Sequence, residues 1–199
     1  MIFAVLGILS GLLLIIADIP YALNAYRRKT QPHRVTWFVV FILNLIGFAN
    51  QLASGATHSL WLFGTAVFVT LVISILSISR GVGGYEIVDI VALVGSIIGL
   101  GLWWWLNTPL ASIIANVVVG WIALTPTYIK SYKNPASETK ITWLLASVSA
   151  LLGTLAVGEL KFDLLILPLN AFIIQIGIYL ILEFRSHQLK SKVVPATTK

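Results

Sequence analysis

Long apolar runs alternate along the chain with short breaks rich in Lys, Arg, Pro and Gly, which mark off seven segments at 2–25, 36–53, 59–79, 86–106, 109–130, 141–158 and 163–184. Each is close to the roughly 20 residues that carry a helix through a hydrocarbon core of about 30 Å. Inside lipid every backbone N–H must find its partner within the structure. The runs lack the polar-in, apolar-out alternation of a membrane barrel, so helices are the expected spanning element. The first segment has neither a basic leader nor a small-x-small cleavage site and reads as a first crossing.

Composition agrees with the pattern. Of 199 residues, 58% are hydrophobic and only 10% charged, against roughly 25% charged in a soluble domain. Mean hydropathy is +0.96. Seven crossings use nearly the whole length, which leaves no room for a large soluble module. The absence of cysteine removes disulfides, thiolate metal sites and thiol nucleophiles.

Charge then sets the expected orientation. Alternate loops place Arg27, Arg28, Lys29, Arg34, Arg80, Lys130, Lys133, Lys140, Arg185, Lys190, Lys192 and Lys199 on one side and only Lys161 on the other. The positive-inside rule puts the larger group in the cytoplasm, with the N-terminus outside, the C-terminus inside and an odd number of crossings. The net charge of +6 is absorbed by this asymmetry, so nucleic acid is not an expected partner. Trp103, Trp104 and Trp105 are expected as anchors at the outer interface, and Trp37 and Trp143 near the inner one.

The chain also repeats. A shift of 106 residues superposes Ala17 on Ala123, Pro20 on Pro126, Tyr26 on Tyr132, Thr36 on Thr142, Trp37 on Trp143 and Gly47 on Gly153. Chance produces such matches easily for Leu or Ala, but rarely for Pro, Tyr and Trp in fixed order. Each unit has three segments with a basic loop between its first two, and both basic loops fall on the same side. The units are therefore parallel, and three crossings reverse the chain, so one extra helix must separate them. The expected fold is an all-α membrane protein of 3+1+3 helices: a first repeat at 1–80, a linker helix at 81–107, a second repeat at 108–186 and a basic tail at 187–199. Parallel-repeat carriers bind their solute near the midplane, where the halves meet.

Candidate chemistry is sparse. Pro20 and Pro126 each free the carbonyl four residues earlier, and at repeat-equivalent positions near the inner face they are expected to act as paired hinges of a gate. Asn44, Asn116 and Asn170 all fall near mid-depth, where an amide needs a partner or a watery cavity. They are candidate substrate ligands, or alternatively interhelical hydrogen-bonding groups. Asp18 is either a gating or proton-coupling carboxylate or a partner for Arg27 or Arg28 at the interface. Enzyme chemistry is not expected: His33, His58 and His187 lie in loops or the tail without partner spacing, and no catalytic or phosphate-binding motif is present. No cofactor or metal site is expected.

The segments Asp18-Ile19-Pro20-Tyr21 to Thr36-Trp37 and Thr125-Pro126-Thr127-Tyr128 to Thr142-Trp143 resemble the PQ-loop superfamily. With 3+1+3 helices the chain is similar to its SWEET sugar-transporter branch, whose half-sized bacterial relatives are the SemiSWEETs. The glutamine of the motif is Tyr21 in the first repeat and Thr127 in the second. The resemblance implies a pocket asparagine on the last helix, matched by Asn170, and a polar residue and a pocket aromatic on the second helix, matched by Asn44 and Phe48. It also implies that an acidic residue near the motif, here Asp18, can couple protons. The expected function is transport of a small neutral, sugar-like solute by alternating access. The alternatives are a Pnu-type vitamin-precursor carrier, a proton-coupled amino-acid carrier, and a non-transporting membrane receptor or scaffold. The expected setting is a prokaryotic cytoplasmic membrane, with solute and lipid as partners and self-association left open.

Overall fold

The computed structural model describes residues 1–83, 87–106 and 109–193. They form seven α-helices: α1 (Ile2–Tyr26), α2 (Arg34–Ala53), α3 (Leu60–Arg80), α4 (Ile87–Leu106), α5 (Pro109–Lys133), α6 (Lys140–Leu155) and α7 (Phe162–Val193). A 3-10 turn, Pro135–Ser137, precedes α6. Among the described residues there is no strand, only an isolated bridge between His33 and Val82. Lys199, Asn107 and the side chains of Trp103, Lys190 and Lys192 lie outside the described residues.

Five helices, α1, α2, α3, α5 and α7, are long and apolar enough to cross a membrane, whereas α6 is a shorter apolar helix. Its 16 residues end at Leu155, three short of the apolar run, because the chain turns at Ala156 and Val157 into Gly158, whose φ is +72°. Elsewhere helices outrun the apolar segments. α5 continues to Lys133, placing Lys130 and Lys133 in its last turn, where cations complement the helix dipole. α7 does not stop near 184 to release a separate tail at 187. It runs 32 residues to Val193 because nothing after Phe184 breaks it. Glu183 and His187 pair one turn apart at 3.0 Å. Arg185 donates to the Tyr132 carbonyl at 3.0 Å and lies 4.2 Å from the Tyr132 ring centroid, clamping the extension to the end of α5.

The outward faces of the helices are apolar, and small and polar residues are turned inward among the larger apolar ones. On α1, Ile8, Leu12, Ile16, Ile19 and Leu23 are exposed, while Gly7, Ser10, Gly11, Ala17, Asp18 and Tyr21 are buried. A soluble protein of this size does not expose such a stripe, whereas helices in lipid pack through small residues. Gly7 and Gly11 are such residues. A Cβ on Gly7 would strike the His58 carbonyl, and one on Gly11 would stand 2.9 Å from Thr65 Oγ1.

Six helices close a ring. α3 packs between α1 and α2, α7 packs between α5 and α6, α1 meets α6, and α2 meets α5. Exchanging α1, α2 and α3 for α5, α6 and α7 leaves this order of neighbours unchanged. α4 lies outside the ring, against α5 and α2. The hydrogen bonds repeat with the same offset of 106 residues. Thr142 Oγ1 donates to the Ala17 carbonyl at 2.6 Å and Thr36 Oγ1 to the Ala123 carbonyl at 2.9 Å. One level away the equivalent positions are joined with donor and acceptor exchanged: Ser149 Oγ donates to the Ser10 carbonyl at 2.7 Å, and Asn116 Nδ2 to the Leu43 carbonyl at 2.8 Å.

The described loop cations gather at one end of the ring, apart from Lys161, which pairs with Glu159 at 2.6 Å at the other. Arg34 caps α3 there, donating to the carbonyls of Ser77, Ile78 and Gly83 at 3.2, 3.3 and 3.1 Å. Ser77 and Ile78 are in the last turn of α3, where carbonyls run short of intrahelical donors, and Gly83 is in the segment just after it.

Candidate functional site

A cavity of about 140 Å³ lies inside the ring, walled by side chains from all six ring helices. Its walls are largely apolar, with Leu14, Val40, Leu43, Phe63, Ala66 and Leu167 facing in. Against them stand a few polar groups, Asp18, Asn44, Asn116, Asn170 and Gln175. A mostly apolar chamber with a small number of placed polar groups is the usual form of a small-molecule site.

The three asparagines share this chamber without bonding to one another. Asn116 uses its amide nitrogen on the Leu43 carbonyl at 2.8 Å. Asn170 accepts from Trp121 Nε1 through Oδ1 at 2.9 Å, which leaves its own N–H groups for a ligand. Asn44 makes no hydrogen bond with any described residue. Gln175, one helix turn beyond Asn170 on α7, keeps a buried Oε1 without a partner.

Asp18 is buried in the same wall, only 7% exposed. It forms neither a hydrogen bond nor an ion pair with a described residue. The expected partnership with Arg27 or Arg28 does not form. Nine helical residues separate Asp18 from Arg27, about 13 Å along the axis, and both arginines are exposed beyond the end of α1.

Phe48 is not part of the wall. It is half-buried and packs behind it, against the cluster that contains Phe63 and Leu167. Its ring sits 3.6 Å from where a Cβ on Gly64 would stand, so the missing side chain on α3 makes its seat. Pro20 and Pro126 are also outside the cavity lining. Neither ends its helix: α1 continues six residues past Pro20, and α5 seven past Pro126.

Toward the basic end the cavity has an aromatic floor. Trp37 and Trp143 are 7% and 6% exposed, with ring centroids 6.3 Å apart. They are not membrane-interface anchors, because their positions fall on the faces of α2 and α6 that turn toward the ring axis. Tyr21 closes the group, 5.0 Å from Trp37 and edge-on to Trp143 at 6.5 Å, and its hydroxyl accepts from Trp37 Nε1 at 3.0 Å.

Beneath the floor lies a polar layer that the sequence reading did not single out. Glu138, with a fully buried side chain, accepts from Trp143 Nε1 at 3.1 Å and pairs with Lys130. Lys130 also donates to the Gln31 carbonyl, in the loop between α1 and α2. Beside it Thr139 bonds Thr30 at 2.5 Å and receives Asn24 Nδ2 at 3.2 Å. The available signal was that Glu138 is the sole acidic residue between Lys130 and Lys140. At the opposite end Gln51 Nε2 donates to the Leu164 carbonyl at 3.1 Å, and Asn50 and Ser112 bond at 2.7 Å.

What the geometry can do is hold a small solute, offering amide donors and acceptors and one carboxylate, between two layers of polar ties. No protein-family model, curated protein or solved structure matches this chain.

Proposed function

We propose that this chain is an integral membrane carrier that moves a small polar solute by alternating access. In this reading all seven helices cross the bilayer, α1–α3 and α5–α7 are parallel repeats, and α4 is the linker that restores direction between them. The N-terminus is outside and the C-terminus is in the cytoplasm, in accord with the positive-inside rule. Support for the repeat comes from the ring order, unchanged on exchange of its halves, and from the offset pairs Thr142–Ala17 and Thr36–Ala123. The chain resembles SWEET transporters of the PQ-loop superfamily, which makes hydroxylated, sugar-like solutes the first to test.

The observation that carries the proposal is the cavity between the halves, where Asn44, Asn170 and Gln175 keep polar atoms free of partners among the described residues. Burial of an unsatisfied amide is costly, and a scaffold would have these amides bonded to each other. A carrier site leaves them for its solute. The test is uptake of a panel of labelled small solutes into proteoliposomes holding the purified protein. Saturable uptake above that of protein-free vesicles supports the carrier, whereas its absence across the panel returns the chain to a scaffold role.

A second reading, proton-coupled transport, is favoured by the unpartnered Asp18 in the cavity wall. Under it an inward acid gradient accelerates uptake, and Asp18→Asn removes the acceleration while leaving downhill exchange.

A further inference from the structure

The charge of the cavity does not balance. Among the described residues, Asp18 is the only ionisable side chain in its lining, and no Lys, Arg or His faces it. The neighbouring cations are engaged elsewhere: Lys130 on Glu138 and Gln31, Arg34 on three carbonyls at the end of α3, Arg80 over the Tyr26 ring and Arg185 over the Tyr132 ring. A carboxylate taken out of water needs a compensating charge or a proton. The described residues supply no such charge, so a ligand can.

The surroundings narrow the kind of cation. A bare hard metal ion seeks six or more oxygen ligands, and the cavity around Asp18 is walled mainly by hydrocarbon. An organic ammonium ion suits that wall, because it carries its charge on an apolar body. Trp37 and Trp143 line the same cavity, and Tyr21, bonded to Trp37, is on α1 three residues beyond Asp18. Carboxylate and indoles thus occupy adjacent levels, an arrangement in which ring faces add attraction for a cation. The volume, about 140 Å³, is close to that of engineered cavities of about 150 Å³ that admit benzene. The fitting ligand therefore has only a handful of heavy atoms.

We infer that the cavity takes a small organic ammonium ion, with Asp18 as its counter-charge and the Trp37–Trp143 pair as its floor. The inference rests on the carrier reading for the cavity's purpose and narrows its solute from polar to ammonium-bearing.

The experiment compares charged ligands with neutral ligands of nearly the same shape on the full chain in lipid nanodiscs, by titration calorimetry. Choline is paired with 3,3-dimethylbutan-1-ol, and ethanolamine with ethylene glycol. In at least one pair the wild-type protein is expected to bind the cation about tenfold or more tightly than its neutral partner. Asp18→Asn is expected to erase that preference. The wild-type comparison stands even if the variant folds poorly. Equal affinity within both pairs, a preference for the neutral partners, or no binding of either cation overturns the inference. Flux separates it from the carrier reading. Cation binding without uptake into proteoliposomes leaves the site and removes the carrier, while sugar uptake without cation binding does the reverse.

Discussion

Thr142 of α6 hydrogen-bonds the carbonyl of Ala17 on α1 at 2.6 Å, three residues before Pro20. Its counterpart, Thr36 of α2, bonds the carbonyl of Ala123 on α5 at 2.9 Å, three residues before Pro126. Each link ties the turn disturbed by a proline to the opposite half of the ring. Thr36→Val and Thr142→Val each remove one link at nearly constant volume. Each is expected to cost about 0.6 to 1.5 kcal/mol, read as a lowered melting temperature in detergent, and the double variant is expected to lose the sum.

Pro20→Ala and Pro126→Ala restore the N–H that the carbonyl four residues earlier lacks. Both helices continue past the proline, so folded yield is expected to hold while exchange between inward- and outward-open states slows. Stopped-flow uptake measures this. Poor yield with normal turnover in the surviving protein would make the prolines purely structural.

Asn170 bonds Trp121 and also faces the cavity, so two substitutions separate its roles. Asn170→Leu is expected to weaken solute binding by about five- to more than a hundredfold, or roughly 1 to 3 kcal/mol. Trp121→Phe removes the indole donor and leaves the amide, so it is expected to lower melting temperature with little change in affinity. A lowered melting temperature and unaltered affinity for Asn170→Leu would remove it from the site.

The Glu138–Lys130 pair is buried beneath the aromatic floor, with side chains 0% and 14% exposed. Glu138→Gln leaves the partly exposed ammonium with the Gln31 carbonyl and is expected to cost about 1.5 to 3 kcal/mol. The double change with Lys130→Met removes both charges and is expected to recover most of that loss. Chemical unfolding of the three variants checks the order.

Topology is tested by reporters. A tag after Lys199 is expected in the cytoplasm, and one inserted at Thr57, between α2 and α3, on the outer side. Labelling of Lys199 from outside intact cells would overturn the seven-crossing arrangement.

The apolar runs were enough to locate all seven helices, because a segment surrounded by lipid or by other helices has little choice but to form one. Their ends were harder to read. Lys130, Lys133 and Arg185 continue their helices into the polar zone, as good helix formers do. Asn44, Asn116, Asn170 and Asp18 were singled out because a polar group within an apolar run is costly, and the structure brings all four to one cavity. Glu138 escaped notice because loop carboxylates are ordinarily solvated; its burial depends on Lys130 and Trp143, residues that only the folded chain brings together. Trp37 and Trp143 misled for a related reason: tryptophan near a membrane end is common, and which way it faces depends on helix rotation. Phe48 was displaced by Gly64, whose bare backbone makes a seat behind the wall.

In both proline-side links a side chain donates and a backbone carbonyl accepts. The two ends of each link are therefore exposed to mutation unequally. Any residue small enough for the fully buried sites at 17 and 123 still presents the acceptor, whereas loss of the hydroxyl at 36 or 142 severs the link in a single step. At the level of the two prolines, the joint between the halves rests on its two side-chain hydroxyls.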